Sequence, residues 1–287
     1  MPPHIPFERR VKNGTVYHYG RGSVDAKGAV APMIIAAHNF LQSRTDTPRL
    51  GLLFVLGEEI GGEGMKAFAT YAKNVTFRAA IFGEPTEGKL ASGHKGSMGV
   101  TLEIKGKAAH SAYPWLGISA INYVADSIVA LNALEPYLPA GELLGASTLN
   151  VGRISGGLAS NIVPENANAS ISIRVAEGSP DDIRVLVEEV LAPIKRRAVT
   201  AGATFNLTVS SSAYGPIILD TDVPDLEVAP VFYGTDIPSL PQVKKKYLYG
   251  TGSIQVAHTA LEELSQDELV TAAESYMKIL QHLFPEM

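Results

Sequence analysis

The chain has 287 residues, 46% hydrophobic and 18% charged, with a net charge of −5. That balance fits a folded globular protein of one large or two ordinary domains, and no apolar run is long enough for a membrane span. There is no cysteine, which excludes disulfides, thiolate metal sites and cysteine nucleophiles together. The longest basic run, Lys244-Lys245-Lys246, reads as a solvated loop, so nucleic acid is not an expected partner.

From the start, Met1-Pro2-Pro3-His4 lacks the charged and apolar regions of a signal peptide. Ala26 to Leu41 then reads as an alanine-rich amphipathic helix. Leu50 to Leu56 is continuously apolar and is expected to be a strand buried on both faces. A helix from about Gly64 to Ala72 and a second buried strand, Ala79 to Phe82, follow. Strand and helix in alternation predict an α/β layer with parallel strands.

From Lys95 to Ser212 the texture changes. Met98, Val100, Leu102 and Ile104 alternate with polar residues, the pattern of a strand with one wet face. A helix carries Ile118, Ile121, Ala125, Ile128 and Leu131 on one stripe. Strands are predicted at Ser147–Ile154, around Ile171, Ile173 and Val175, and around Phe205, Leu207 and Val209. Ser179-Pro180-Asp181-Asp182 opens a helix with a cap, a first-turn proline and acids at the positive end. Pro193 is expected to kink or end it. Strand, helix, strand, strand, helix, strand is the order of a ferredoxin-like α+β sandwich. The predicted division is therefore 1–94 with 213–287 as one discontinuous domain and 95–212 inserted within it. The last helix opens at Ser265 with Glu268 as its capping box and buries Leu269, Ala273, Tyr276 and Leu280.

Acidic residues recur where apolar strands end. Asp25 follows the tight segment Gly20-Arg21-Gly22, Glu58 and Glu59 follow Leu50–Leu56, and Glu84 follows Phe82. Ligands of open α/β sheets sit off the carboxyl ends of strands. Carboxylates gathered there repel one another unless a cation lies among them. Oxygen donors with a histidine suit zinc, and His258 is the candidate nitrogen donor. A lone acid after a strand is more often a helix cap or a solvated loop residue; four together favour the metal. His4, His18, His38 and His282 read as surface or packing residues.

Eight segments also match a known family in order: Gly20–Gly28, Gly57–Gly64, Phe82–Thr86, Gly93–Gly99, Gly106–Ile121, Ile154–Arg174, Tyr233–Asp236 and Gly252–Glu263. The chain resembles metallopeptidase family 20, which includes aminoacylase, acetylornithine deacetylase, succinyl-diaminopimelate desuccinylase and glutamate carboxypeptidase. The resemblance implies an α/β zinc-hydrolase domain with an inserted ferredoxin-like lid and dimerisation domain, acting on small peptides or N-acyl amino acids. It implies that Asp25 bridges two zinc ions, that Glu59 and His258 complete one site, and that Glu84 serves the other. Glu58 would be the general base. His110 would polarise the scissile carbonyl across a dimer, Arg174 and Asn161 would hold the substrate, and Gly234-Thr235-Asp236 would form a loop beside it. A homodimer through 95–212 is expected.

The family's remaining zinc ligand lies in a His-x-Asp segment before a Val-Pro-type turn, which Pro2-Pro3 match, so that segment falls before Met1. The chain is expected to be N-terminally truncated, with one firmly held zinc or fewer and weak catalysis. The competing reading is an inactive homologue that dimerises or binds. Fungal members of the family are often secreted, which points to export of the parent protein. Gly20-Arg21-Gly22 lacks the third glycine of a dinucleotide fingerprint, and neither a Walker loop, an HExxH helix nor a Gly-x-Ser-x-Gly elbow occurs.

Overall fold

The computed structural model describes residues 3–285. Pro2, half of the proposed family turn, lies outside them. The described residues form two compact units. Within residues 3–285, one comprises the stretch up to residue 93, 218–231 and the stretch from residue 235; the other comprises 94–217 and 232–234.

The first unit opens with the hairpin β1 (Glu8–Lys12) and β2 (Thr15–Tyr19). Helix α1 (Gly28–Gln42), helix α2 (Glu63–Tyr71), strand β3 (Phe77–Phe82) and strand β4 (Leu90–His94) follow. In the second unit lie β5 (Gly96–Lys105), α3 (Ala120–Leu134), β6 (Thr148–Gly156), β7 (Asn166–Val175), α4 (Pro180–Thr200) and β8 (Thr204–Val209). The chain then returns to the first unit with β9 (Val228–Val231), β10 (Val243–Leu248), β11 (Glu263–Ser265) and α5 (Gln266–Leu283).

The second unit has the predicted ferredoxin-like order. Its sheet runs β8-β5-β7-β6, antiparallel throughout. Met98, Val100, Leu102 and Ile104 are buried with Ala167, Ala169, Ile171, Ile173 and Val175 beneath the two helices. The period-two pattern reads correctly here because one face of the sheet is covered and the other is wet. Helix α3 buries Ala120, Val124, Ser127, Leu131 and Leu134, so the stripe is rotated from the expected one. Ile121 and Ala125 are exposed; apolar residues occur on several faces of this helix, and packing selects one. Helix α4 opens with a reciprocal capping box at Ser179 and Asp182. It runs through Pro193 to Thr200 rather than ending at the proline. Pro193 and Glu189 face solvent, so water takes the carbonyl that proline cannot satisfy, while Ile194 and Ala198 remain in the core.

In the first unit α1 packs on α5. Ala36, Phe40, Tyr247, Tyr249, Ala272, Tyr276, Ile279 and Leu280 form the core. Leu269 and Ala273, predicted for the same stripe of α5, are only half-buried. Strands β3 and β10 pair in parallel. Lys244, Lys245 and Lys246 therefore lie in a strand rather than a loop. The expected strand Leu50–Leu56 is absent. Phe54 is 61% and Leu56 84% exposed, and no described strand is hydrogen-bonded along the segment. An apolar run becomes a buried strand only where a neighbour satisfies its backbone. No helix of the described residues is long and apolar enough to cross a membrane.

Candidate metal centre

Two tight turns and one strand end of the first unit carry the acids. Gly22 adopts φ 79°, and the chain turns through Asp25, whose φ of −114° and ψ of 94° lie outside the helical region. This throws the carboxylate clear of the start of α1. Glu58 and Glu59 occupy a short helical turn bounded by Gly57 and Gly62, at φ 73° and 69°. That left-handed geometry costs glycine nothing. The carbonyl of Gly57 accepts the Gly62 amide at 2.8 Å and closes the turn. Glu84 leaves the carboxyl end of β3. The parallel strand β10 ends beside it, where Gly250 passes against the Glu84 carbonyl, and the chain then reaches His258.

These elements bring Asp25, Glu59 and His258 together. The His258 Nε2 lies 3.0 Å from Asp25 Oδ2 and 2.8 Å from Glu59 Oε1. One donor atom from each residue falls within 4.8 Å of the others. Burial draws the imidazole down, but the two carboxylates outweigh it and raise its pKa. Burial raises the Asp25 carboxyl, and the charge of Glu59 adds to it. Burial, then the charges of Asp236, Glu59 and Asp25, push Glu58 up to about 7. Glu84 rises well above the usual range through burial and the charges of Glu58, Asp25 and Glu59.

Asp236 completes the acidic surroundings. One of its oxygens packs against Gly62; the other is buried without a hydrogen-bond partner. Thr235, beside it, accepts the Ile237 amide at 3.2 Å. Five carboxyl groups thus repel one another around a single imidazole. A divalent cation would relieve that repulsion, and imidazole with carboxylates is a donor set that zinc accepts. The residues present fit such an ion.

A fully buried acid missed in the sequence supports the turn. The Glu262 Oε1 accepts the amides of Val24 and Asp25, each at 3.1 Å, and Oε2 accepts Arg21 Nη1 at 2.6 Å. Burial raises this carboxyl, but the amides of Asp25, Gly22 and Val24 and the Arg21 guanidinium outweigh it and hold its pKa low. In the sequence Glu262 cannot be told from its neighbour Glu263. The one signal is that Leu264 next to them continues an apolar stripe into α5.

The remaining predicted residues lie in the second unit. His110 pairs through its backbone with Ile162, and its Nδ1 accepts the Ala112 amide at 3.1 Å. The Asn161 carbonyl accepts the Ser111 amide at 3.0 Å, so the two residues share one loop cluster. Arg174 stands opposite Ser97 on β5. A side chain on Gly234 would lie 3.1 Å from Arg174 Nη1 and against the Tyr214 hydroxyl, so one added there must displace the tip of the tyrosine.

The comparisons decide the family. Residues 92–199 match a family described as "Peptidase dimerisation domain". A "Probable carboxypeptidase" of Paracoccidioides brasiliensis is 44% identical over 98% of this chain and 67% of its own length. The chain belongs to metallopeptidase family 20. Another family 20 relative, a "Probable carboxypeptidase" of Aspergillus terreus, is 41% identical over 98% of this chain and 68% of its own length. The fold is that of a Staphylococcus aureus tripeptidase (TM-score 0.76, 21% identity, 96% of this chain and 76% of that one). It is also that of a family 20 metallo-carboxypeptidase from Sulfolobus solfataricus (TM-score 0.67, 18% identity, 95% and 78%). This family 20 chain is accordingly a hydrolase, of a class that uses a metal ion.

Proposed function

We propose that this family 20 chain is a zinc-dependent hydrolase of amide bonds in small peptides or N-acyl amino acids that carry a free carboxylate. The single observation that supports this most is the convergence of Asp25 Oδ2 and Glu59 Oε1 on His258 Nε2, at 3.0 and 2.8 Å. These three residues would hold one firmly bound ion, with Glu84 as a further acidic donor. A bound zinc ion polarises a carbonyl and lowers the pKa of water.

Glu58 is the general base. A carboxyl titrating near 7 can take a proton from the attacking water and return it to the leaving amine. Arg174 has no ion-pair partner among the described residues, and a free guanidinium suits a substrate carboxylate because it binds in a fork. His110, as the family resemblance has it, acts on the scissile carbonyl across a homodimer. Asn161 and the Gly234-Thr235-Asp236 loop shape the substrate's surroundings. The inserted unit, 95–212 in the sequence reading, is the dimerising one, and the discontinuous remainder binds the metal. The relatives' names favour carboxypeptidase action over acylase action.

The test is release of free amino acid from a panel of dipeptides and N-acyl amino acids, each with a free or an amidated carboxyl end. We expect turnover of the free-carboxyl members with zinc, loss with a chelator and loss in Glu58→Gln. Metal analysis should give one equivalent of zinc per chain. Tight zinc binding without turnover of any panel member would overturn the hydrolase reading in favour of a binding role.

A further inference from the structure

We propose that Glu262 is a positioning residue that presets the separation of Asp25 from His258, so that both meet one cation without rearrangement. The inference rests on the metal-centre reading above. Asp25 and His258 are 233 residues apart in the chain, and no helix or strand includes both. Glu262 lies one short turn beyond His258 and reaches back to the Asp25 segment along its whole length. Its carbonyl accepts the Gly20 amide at 3.0 Å and the Ser23 hydroxyl at 3.1 Å. Its Oε1 holds the amides of Val24 and Asp25, and Oε2 holds Arg21. The bond to the Asp25 amide fixes the peptide plane from which the carboxylate departs, leaving its own side-chain torsions as the remaining freedom.

Glu262 is not itself a ligand on this geometry. Both oxygens already accept N–H donors, and the residue is 1% exposed. Its charge is paired with Arg21 at 2.6 Å, so the two side chains together are neutral. A buried, paired carboxylate of this kind is costly to assemble. Its placement on the two segments that bear metal donors gives it a use beyond stability. Partners that orient metal-binding side chains typically alter metal affinity by about 10–100-fold when removed.

The experiment compares zinc binding by the full wild-type chain, Asp25→Ala and Glu262→Gln, titrated against a competing chelator. The cobalt-substituted absorption spectrum is recorded alongside, and folding of each metal-free chain is checked by far-UV circular dichroism. Glutamine keeps one carbonyl acceptor and the side-chain shape but loses the charge. We expect Asp25→Ala to lose tight binding. Glu262→Gln should weaken it about 10–100-fold in a folded protein and shift the cobalt bands. Should Glu262→Gln not fold, Arg21→Lys, which keeps the charge but removes the guanidinium that meets Glu262 Oε2, is expected to weaken zinc binding in the same sense. Wild-type affinity and an unchanged cobalt spectrum in a folded Glu262→Gln, or in Arg21→Lys if that replaces it, overturn the proposal while Asp25→Ala loses the metal. Wild-type affinity in Asp25→Ala overturns the metal-centre reading instead.

Discussion

Replacing Tyr276 by phenylalanine tests how the first unit holds the end of β10. The phenol is fully buried in α5 and donates to the Tyr249 carbonyl at 2.6 Å, immediately after that strand. The rings of Tyr276 and Tyr249 meet edge to face, with centroids 5.0 Å apart. Phenylalanine keeps that contact and the packed volume, so the change isolates the hydrogen bond. Losing a neutral bond while leaving its buried acceptor without the donor costs about 1–3 kcal/mol. For a unit of this size each kcal/mol lowers the melting temperature by roughly 2–4 °C, giving a fall of roughly 2–12 °C. The assay is thermal unfolding followed by far-UV circular dichroism. Fluorescence of the single tryptophan would mislead, because Trp115 lies in the second unit. Tyr276→Ala, which also leaves a cavity, should cost about 3–5 kcal/mol. A Tyr276→Phe protein melting within 1 °C of wild type would refute the claim that this bond anchors the strand end.

Gly62→Ala should be destabilising by about 1–2 kcal/mol from its left-handed backbone alone, and more because the new methyl meets the Asp236 carboxylate. Gly51→Ala, where a side chain meets open space, serves as the neutral control in the same melts. The metal-free chain should also lose stability between about pH 4.5 and 7. The Glu58 pKa is raised to about 7 in the fold, so its protonated form is favoured there. Stability is complete below the unfolded value and falls as pH rises through the folded one. Glu58→Gln should flatten that slope, and an unchanged slope in urea titrations across this range would count against the coupling of the five acids.

The inserted unit was legible because its sheet has one covered face, and alternation at Met98, Val100, Leu102 and Ile104 reports that directly. The capping box at Ser265 and the cap at Ser179 were legible because each depends on residues close in the chain. The Leu50–Leu56 segment was misread because apolar composition states a preference for burial without naming the neighbour that would provide it. Lys244–Lys246 was misread in reverse, since charge hid a strand that bonds through its backbone to β3. The convergence of Asp25, Glu59 and His258 was expected from their places at element ends and from family resemblance. Glu262 was not, because nothing local distinguishes a buried acid from an exposed one.

The two parallel strands β3 and β10 have an implication for how the polypeptide matures. Glu84 enters early in synthesis, whereas β10 and the loop to His258 come after the whole inserted unit has been made. Asp25, Glu58, Glu59 and Glu84 are therefore made well before Asp236 and His258. Ion capture through the full donor set must wait for the last stretch of translation, after the ferredoxin-like portion has had time to fold by itself.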